Sequence, residues 1–289
     1  MQQTSNADRK VPTRRMNFDE DLAQVPKHFA EDGDIVTSHF FVALSATFPD
    51  GEDFFVKSVR HFRDQITDPV LKRQVAGFIG QEAMHGREHR VLNQRFAELG
   101  YPIEQLESFT KWNNEMFDRW LTPKARLAQT VVSEHFTALL AELLLGDESV
   151  RNSLGHQAMQ DILVWHSLEE SEHKSVAFDV YVAVGGSERV RIWSMKIMRW
   201  TIPILALQLA AQVLKDPAAR RPGALRASLK RFRRNGLFTR DVWNAIKEFE
   251  QPGFHPDQRN TDALLEEWEV RLFGDEGTMN DRLIGSKAA

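Results

Sequence analysis

The sequence predicts an all-α protein of long helices joined by short turns, and three observations carry that expectation. Apolar residues recur three and four positions apart through most of the chain, which is the period of a helix with one buried face. No stretch shows the strict alternation of a half-buried strand, and no segment repeats another. Gly, Pro and Asp gather where the helical period lapses, leaving connections short enough to favour antiparallel neighbours.

Residues 1–25 are polar without an apolar core. They read as a flexible, loosely attached segment and not as a signal peptide. Residues 26–215 form the expected helical bundle, and 216–289 a helical extension packed on it. In the bundle, the apolar run IVTSHFFVALSATF (35–48) is broken by Pro49-Asp50-Gly51, and Asp50 is placed to cap a new helix beginning near Glu52. Thr67-Asp68-Pro69 makes a turn and a fresh start, and the next helical pattern runs to Gly100-Tyr101-Pro102. An amphipathic stretch covers 103–121. Thr122-Pro123 opens another, which stops at Gly146-Asp147. Residues 148–155 read as a connection, and His156 to Val184 as one helix ended by Gly185-Gly186. An apolar helix follows over 189–214. From Asp216 the chain turns basic (RRPGALRASLKRFRRNG), then amphipathic, with FHPD at 254–257 and a last helix near 260–272.

The 289 residues carry a net charge of -4, which gives no reason to expect nucleic acid as a partner. There is no cysteine. Disulfides, zinc–thiolate sites, iron–sulfur clusters and cysteine nucleophiles are excluded, so any metal must be held by His, Asp and Glu. The apolar run Thr201–Leu214 is too short to span a bilayer. A core helix or a homodimer face is the expectation for 192–214, with peripheral membrane contact as the alternative. A cytoplasmic location follows from the same features.

Two helical stretches carry a Glu-x-x-His: Glu82-Ala83-Met84-His85 and Glu170-Ser171-Glu172-His173. Residues three apart share a helix face, so carboxylate and imidazole point at one ion. A lone glutamate accompanies each pair. Glu52 lies about 16 residues before the turn at Asp68 and Glu82 about 14 after it, which sets them at similar heights in a hairpin. Glu134 and Glu170 lie about 18 residues either side of Asn152. Glu52, near its predicted helix start, also has the macrodipole as a reason to be acidic. His166, four residues before Glu170, shares its face, and His89 stands four residues after His85. Each is either a further ligand or a partner that orients one. His135, Glu142, Glu169 and Glu172 read as outward-facing or supporting, and His255 has no role that spacing assigns.

The order lone Glu, Glu-x-x-His, lone Glu, Glu-x-x-His over about residues 45–185 resembles the ferritin-like di-iron carboxylate proteins. The resemblance implies a ferritin-like four-helix bundle with extra C-terminal helices. It implies two metal ions held by Glu52, Glu82, His85, Glu134, Glu170 and His173, with Glu134 and Glu82 as natural bridging carboxylates. The pattern His166-x-x-x-Glu170-x-x-His173 resembles the last ligand helix of the di-iron arylamine N-oxygenases, where the extra histidine is a ligand. The phrases FPDGEDFF, QEAMHGREH, WHSLEESEHKSVAFDVY and PGFHP are similar to a bacterial family filed as predicted metal-dependent hydrolases.

Carboxylate and imidazole donors suit iron, with manganese or zinc as competitors. The expected function is a di-iron oxidoreductase that uses O2 on an apolar or aromatic small molecule, since Phe55, Phe78, Phe136, Leu139, Val176 and Phe178 surround the motifs. The alternative is a metal-dependent hydrolase of an ester or phosphoester. A further alternative is a non-catalytic metal-binding protein. No catalytic residue beyond the metal ligands and no organic cofactor is indicated.

Overall fold

The computed structural model describes residues 9–237 and 239–285. Among them the architecture is all-helical, and the only extended pairing is an isolated bridge between Met16 and Leu283. In chain order the helices are α1 (Asp19–Leu22), α2 (Ile35–Arg60), α3 (Pro69–Glu98), α4 (Ile103–Trp120), α5 (Pro123–Gly146), α6 (Glu148–Ser153), α7 (Gln157–His173), α8 (Val176–Ala183), α9 (Glu188–Lys215), α10 (Ala224–Phe232), α11 (Arg240–Glu248) and α12 (Asp262–Phe273).

Local chemistry sets the starts. Asp34, Asp68 and Thr122 each accept a hydrogen bond from a first-turn backbone N–H, of Thr37, Val70 and Ala125 respectively. Pro69 and Pro123 occupy the opening positions of α3 and α5, where a missing N–H costs nothing. The connection expected at 148–155 contains α6, capped by Asp147.

Three expectations are corrected. First, Pro49 does not end a helix, for α2 runs through it to Arg60. A proline in a helix interior costs about 3 kcal/mol, partly because the carbonyl four residues back loses its donor. Here that carbonyl belongs to Ser45, and the Asn93 side-chain amide of α3 donates to it at 3.2 Å. Glu52 is therefore a mid-helix residue, and the macrodipole does not account for it.

Second, the single helix expected over 156–184 is divided after His173. Lys174 Nζ donates to Thr261 Oγ1 at 3.0 Å, and Ser175 Oγ to Asp257 at 2.5 Å. The 255–261 loop thus holds both residues of the break.

Third, residues 9–25 are not loosely attached; residues 1–8 lie outside the described ones. Met16, Phe18, Leu22 and Val25 are buried. Val11 and Thr13 lie so close to α3 that a Cβ on Gly77 or Gly80 would stand 2.1 Å from Val11 O or Thr13 Oγ1. Only glycine admits this strap.

Helices α2, α3, α5 and α7 surround the centre, pairing α2 with α3 and α5 with α7. Two apolar clusters fill the bundle. One contains Phe41, Val42, Leu92, Phe96, Trp165 and Leu168. The other contains Phe54, Val59, Phe78, Val131, Val176 and Phe178. On α2, α3 and α7 the polar residues at 52, 82, 85, 170 and 173 sit where one cluster gives way to the other. Helices α11 and α12 pack on α5, and α12 also on α7.

The reading of 192–214 as a core helix fails. Helix α9 has 28 residues, long and apolar enough by length and composition to cross a membrane, and only 6% of its most apolar 18-residue stretch is buried. Its buried residues are Arg191, Ser194, Met195 and Val213.

Candidate metal centre

Four helices deliver seven ligand-type side chains to one buried volume: Glu52 from α2, Glu82 and His85 from α3, Glu134 from α5, and His166, Glu170 and His173 from α7. None is more than 4% exposed. Two trios have donor atoms mutually close enough for one ion each: Glu52, His85 and His166, then Glu82, Glu170 and His173.

Glu170 spans them. Its Oε1 lies 3.0 Å from His166 Nε2 and 3.6 Å from His85 Nδ1, while its Oε2 lies 3.6 Å from His173 Nε2. Glu134 stands at the second trio, its Oε2 3.3 Å from His173 Nε2, beside Glu82 Oε1 at 3.1 Å. The carboxylate with one oxygen on each trio is thus Glu170, rather than Glu134 or Glu82.

Each histidine is held from behind in a way that bares its inward nitrogen. Gln81 Nε2 donates to Pro12 O at 2.9 Å and Glu172 at 2.7 Å. Its Oε1 therefore accepts from His173 Nδ1, at 2.9 Å, and leaves His173 Nε2 facing the carboxylates. Glu169 Oε2 lies 3.1 Å from His85 Nε2 and, as the acceptor, places that ring's proton outward.

The third case starts at Pro49. Asn93 Nδ2 donates to the freed Ser45 carbonyl, so Asn93 Oδ1 accepts from Ser45 Oγ at 2.7 Å. Ser45 Oγ then accepts from His89 Nδ1 at 2.8 Å, and His89 Nε2 from His166 Nδ1 at 2.8 Å. His166 Nε2 is left as a lone pair aimed at Glu170 Oε1. Both nitrogens of His89 are thereby engaged. It orients His166 and does not reach the cluster.

The cluster is not self-sufficient. Both oxygens of Glu52, Glu82 and Glu134, together with Glu170 Oε2, His85 Nδ1 and His173 Nε2, have no aligned hydrogen-bond partner. Each buried orphan costs roughly 1–3 kcal/mol. Cations would satisfy all nine at once.

The acidities agree. Burial, with neighbouring carboxylates adding, pushes Glu52 and Glu82 well above the usual carboxylate range. Burial raises Glu134 to about 7. Burial opposes charge on Glu170 too, but the His173 and His166 contacts outweigh it and hold it low. His173 is raised because Glu170, Glu134 and Glu82 outweigh its burial. Without a metal, protons occupy the places of missing positive charge.

Aromatic rings close the volume. Phe48 stands 4.7 Å from His166, Phe78 4.9 Å from His173, and Trp165 5.0 Å from His85. Of the apolar residues expected around the motifs, Phe55, Phe78, Leu139, Val176 and Phe178 are buried together, with Phe136 half-buried beside them.

Four supporting groups escape a reading of the sequence. Gln81 precedes a motif but has no spacing rule, and Ser45 and Asn93 act across two helices. Arg14 lies in a polar segment; it reaches Glu172 at 2.8 Å and Glu169 at 3.2 Å. Glu169, expected outward or supporting, is fully buried behind His85. His135 bonds the Ala245 carbonyl at 3.1 Å, Glu142 pairs with Arg259 at 2.8 Å and His255 with Asp179 at 3.0 Å.

A family model described as "predicted metal-dependent hydrolase" matches residues 12–260, and the chain belongs to that family. No curated protein and no solved structure matches it.

Proposed function

We propose that the chain is a dinuclear metal-dependent enzyme with a ferritin-like centre. Glu52, His85 and His166 would hold one ion, Glu82, Glu134 and His173 the other, and Glu170 would bridge them. The single observation that carries this is the set of nine buried ligand-type atoms, none with an aligned hydrogen-bond partner, converging from four helices. Iron is the first choice for such oxygen and nitrogen donors, with manganese and zinc as competitors.

Hydrolysis of an ester or phosphoester is the reaction the family description supports. Two bound ions supply Lewis acidity and an activated water. The chain contributes the rest. Glu169, Gln81 and His89 keep the three imidazoles bare on their inner nitrogens. Phe48, Phe78 and Trp165 exclude bulk water, which strengthens each electrostatic contact inside. Glu134, whose carboxyl lies near 7 in the metal-free state, would give up its proton when an ion is bound.

Activation of O2 for oxidation of an apolar or aromatic molecule is the second reading. The donor set favours it, since paired Glu-x-x-His motifs with lone glutamates in a bundle core make a redox-capable di-iron ligand field.

Elemental analysis after loading with ferrous, manganous or zinc ion tests the centre, and about two ions per chain are expected. The loaded protein is then given nitrophenyl esters and phosphoesters, and O2 uptake by the ferrous form is followed separately. Turnover of an ester by the zinc or manganese form supports hydrolysis. Rapid O2 uptake with no hydrolysis of any ester supports oxidation. A protein that binds no metal under any loading sinks both.

A further inference from the structure

An exposed apolar stripe on α9 is followed directly by an exposed basic segment. Trp193, Ile197, Trp200, Ile204, Leu207 and Leu214 are all exposed, Trp200 by 79% and Leu207 by 72%. Their spacing of four and three residues lines them along one side of the helix over about 30 Å.

Both ends of α9 are tied to the same body. Near its start, Gln129 donates to Ser194 Oγ at 2.9 Å, and Arg191 donates to the carbonyls of Phe249 and Gln251. Near its end, Val213 is buried with Ile35 and Val36. A helix held at both ends against one body lies along its surface and cannot traverse a bilayer.

Directly after it, residues 215–234 contain eight Lys and Arg against the single acid Asp216, a local formal charge of +7 in a chain of net charge -4. All eight basic residues are exposed. Among the described residues only Arg231 of these is ion-paired, to Asp32 at 3.0 Å. Arg221, Arg226, Lys230 and Arg234 line an open concavity.

We propose that this face is a docking surface for an anionic lipid bilayer, with α9 lying in the plane of the interface. The exposed aliphatic side chains would enter the acyl boundary, Trp193 and Trp200 would sit at headgroup level, and the basic segment would meet the lipid phosphates. A second copy of the chain fits less well. A helix–helix seam on this stripe would be flanked by Ser194, Thr201 and Gln208 on one side and Lys196, Pro203 and Ala210 on the other, with no opposite charges to set a register. The proposal does not depend on the metal centre.

The test is flotation of the full chain with vesicles of phosphatidylcholine alone and with one third phosphatidylglycerol, at low and high salt, while tryptophan emission is recorded. The protein should float with the anionic vesicles only, release in high salt, and shift its emission to the blue when bound. The double variant Trp200→Ser, Leu207→Ser should bind about tenfold more weakly through lost apolar insertion. Lys230→Glu with Arg234→Glu should weaken binding by a similar factor, about tenfold, through lost headgroup attraction. Retention in the unbound fraction with both vesicle types would overturn the proposal. So would a wild-type dimer in sedimentation velocity that the Trp200→Ser, Leu207→Ser variant converts to monomer while neither binds vesicles.

Discussion

Among the described residues, two places gather histidines and carboxylates closely enough to hold an ion, and they differ in what is left over. At the first, Asp216 Oδ2 receives His28 Nε2 at 3.0 Å and His39 Nε2 at 3.1 Å, with Lys27 at 3.6 Å, while its Oδ1 caps Ala218. The carboxylate is surrounded by donors, and its acidity is strengthened by them against burial. Only His39 Nδ1 lacks a partner there. At the second, in the bundle centre, nine atoms lack an aligned hydrogen-bond partner, and the carboxylates of Glu52, Glu82, Glu134 and Glu170 converge. Proximity of ligand-type residues is common to both. Several crowded carboxylates whose oxygens lack aligned hydrogen bonds are found at the centre and not at Asp216, and these are what a metal would relieve.

The largest expected effect is at the centre. Glu170→Ala should remove both ions together, because its two oxygens serve the two trios. Elemental analysis of the refolded variant decides this, and retention of both ions would remove Glu170 from its bridging place.

Metal removal should next reveal the carboxylates in the pH dependence of stability. Folded Glu134 holds its proton to about 7, above its ordinary 4.5. Between those values the folded metal-free state binds more protons than the unfolded one, so its contribution to stability falls as pH rises. His135, one residue on, is lowered from 6.5 to about 4 by burial. It works the other way, its contribution falling as pH drops from 6.5 toward 4. Thermal melts of the chelated protein and of Glu134→Gln separate the two: the variant should show a shallower decline with rising pH, the share of Glu52 and Glu82 remaining, and keep the decline with falling pH. Identical profiles would contradict the weakened acidity of Glu134.

A smaller effect is expected one layer out. Gln81→Leu removes the acceptor that orients His173 and should weaken metal affinity by about 10–100-fold, the range for such supporting partners. Asn93→Leu should act through Ser45, His89 and His166 in turn, with a weaker loss. Metal titration by calorimetry measures both, and unchanged affinity in Gln81→Leu would show that His173 needs no orientation from behind.

The smallest effect falls at the balanced site. Asp216→Asn should leave metal content unchanged and cost roughly 1–2 kcal/mol of stability through lost charge-assisted bonds. A drop in bound metal would make that site a metal site after all.

These layers also mark how far the sequence could be read. The convergence of the candidate ligands is legible because helical spacing and hairpin height are local or nearly local rules, which put Glu82 with His85 and Glu52 level with them. His166 is legible for the same reason. His89 shares the spacing but not the role, because Ser45 on another helix takes its second nitrogen. Gln81, Asn93 and Arg14 obey no spacing, for each works through a partner far along the chain. Pro49 misleads because its cost is offset by a side chain 44 residues away. Helix α9 misleads in another way. Apolar composition reports a preference for leaving water, and a core, a partner or a bilayer each satisfies it.

The strap over α3 has a consequence for biosynthesis. Pro12 and Arg14 leave the ribosome early, whereas Glu169, Glu172 and His173 follow more than 150 residues later. Until α7 is made, Arg14 has no anions to meet and Gln81 has no imidazole to orient. The two glycines of α3 leave the room in which the early segment lies. Completion of the centre is therefore tied to synthesis of α7, and ions arriving before then would meet only the candidate donors of α2, α3 and α5.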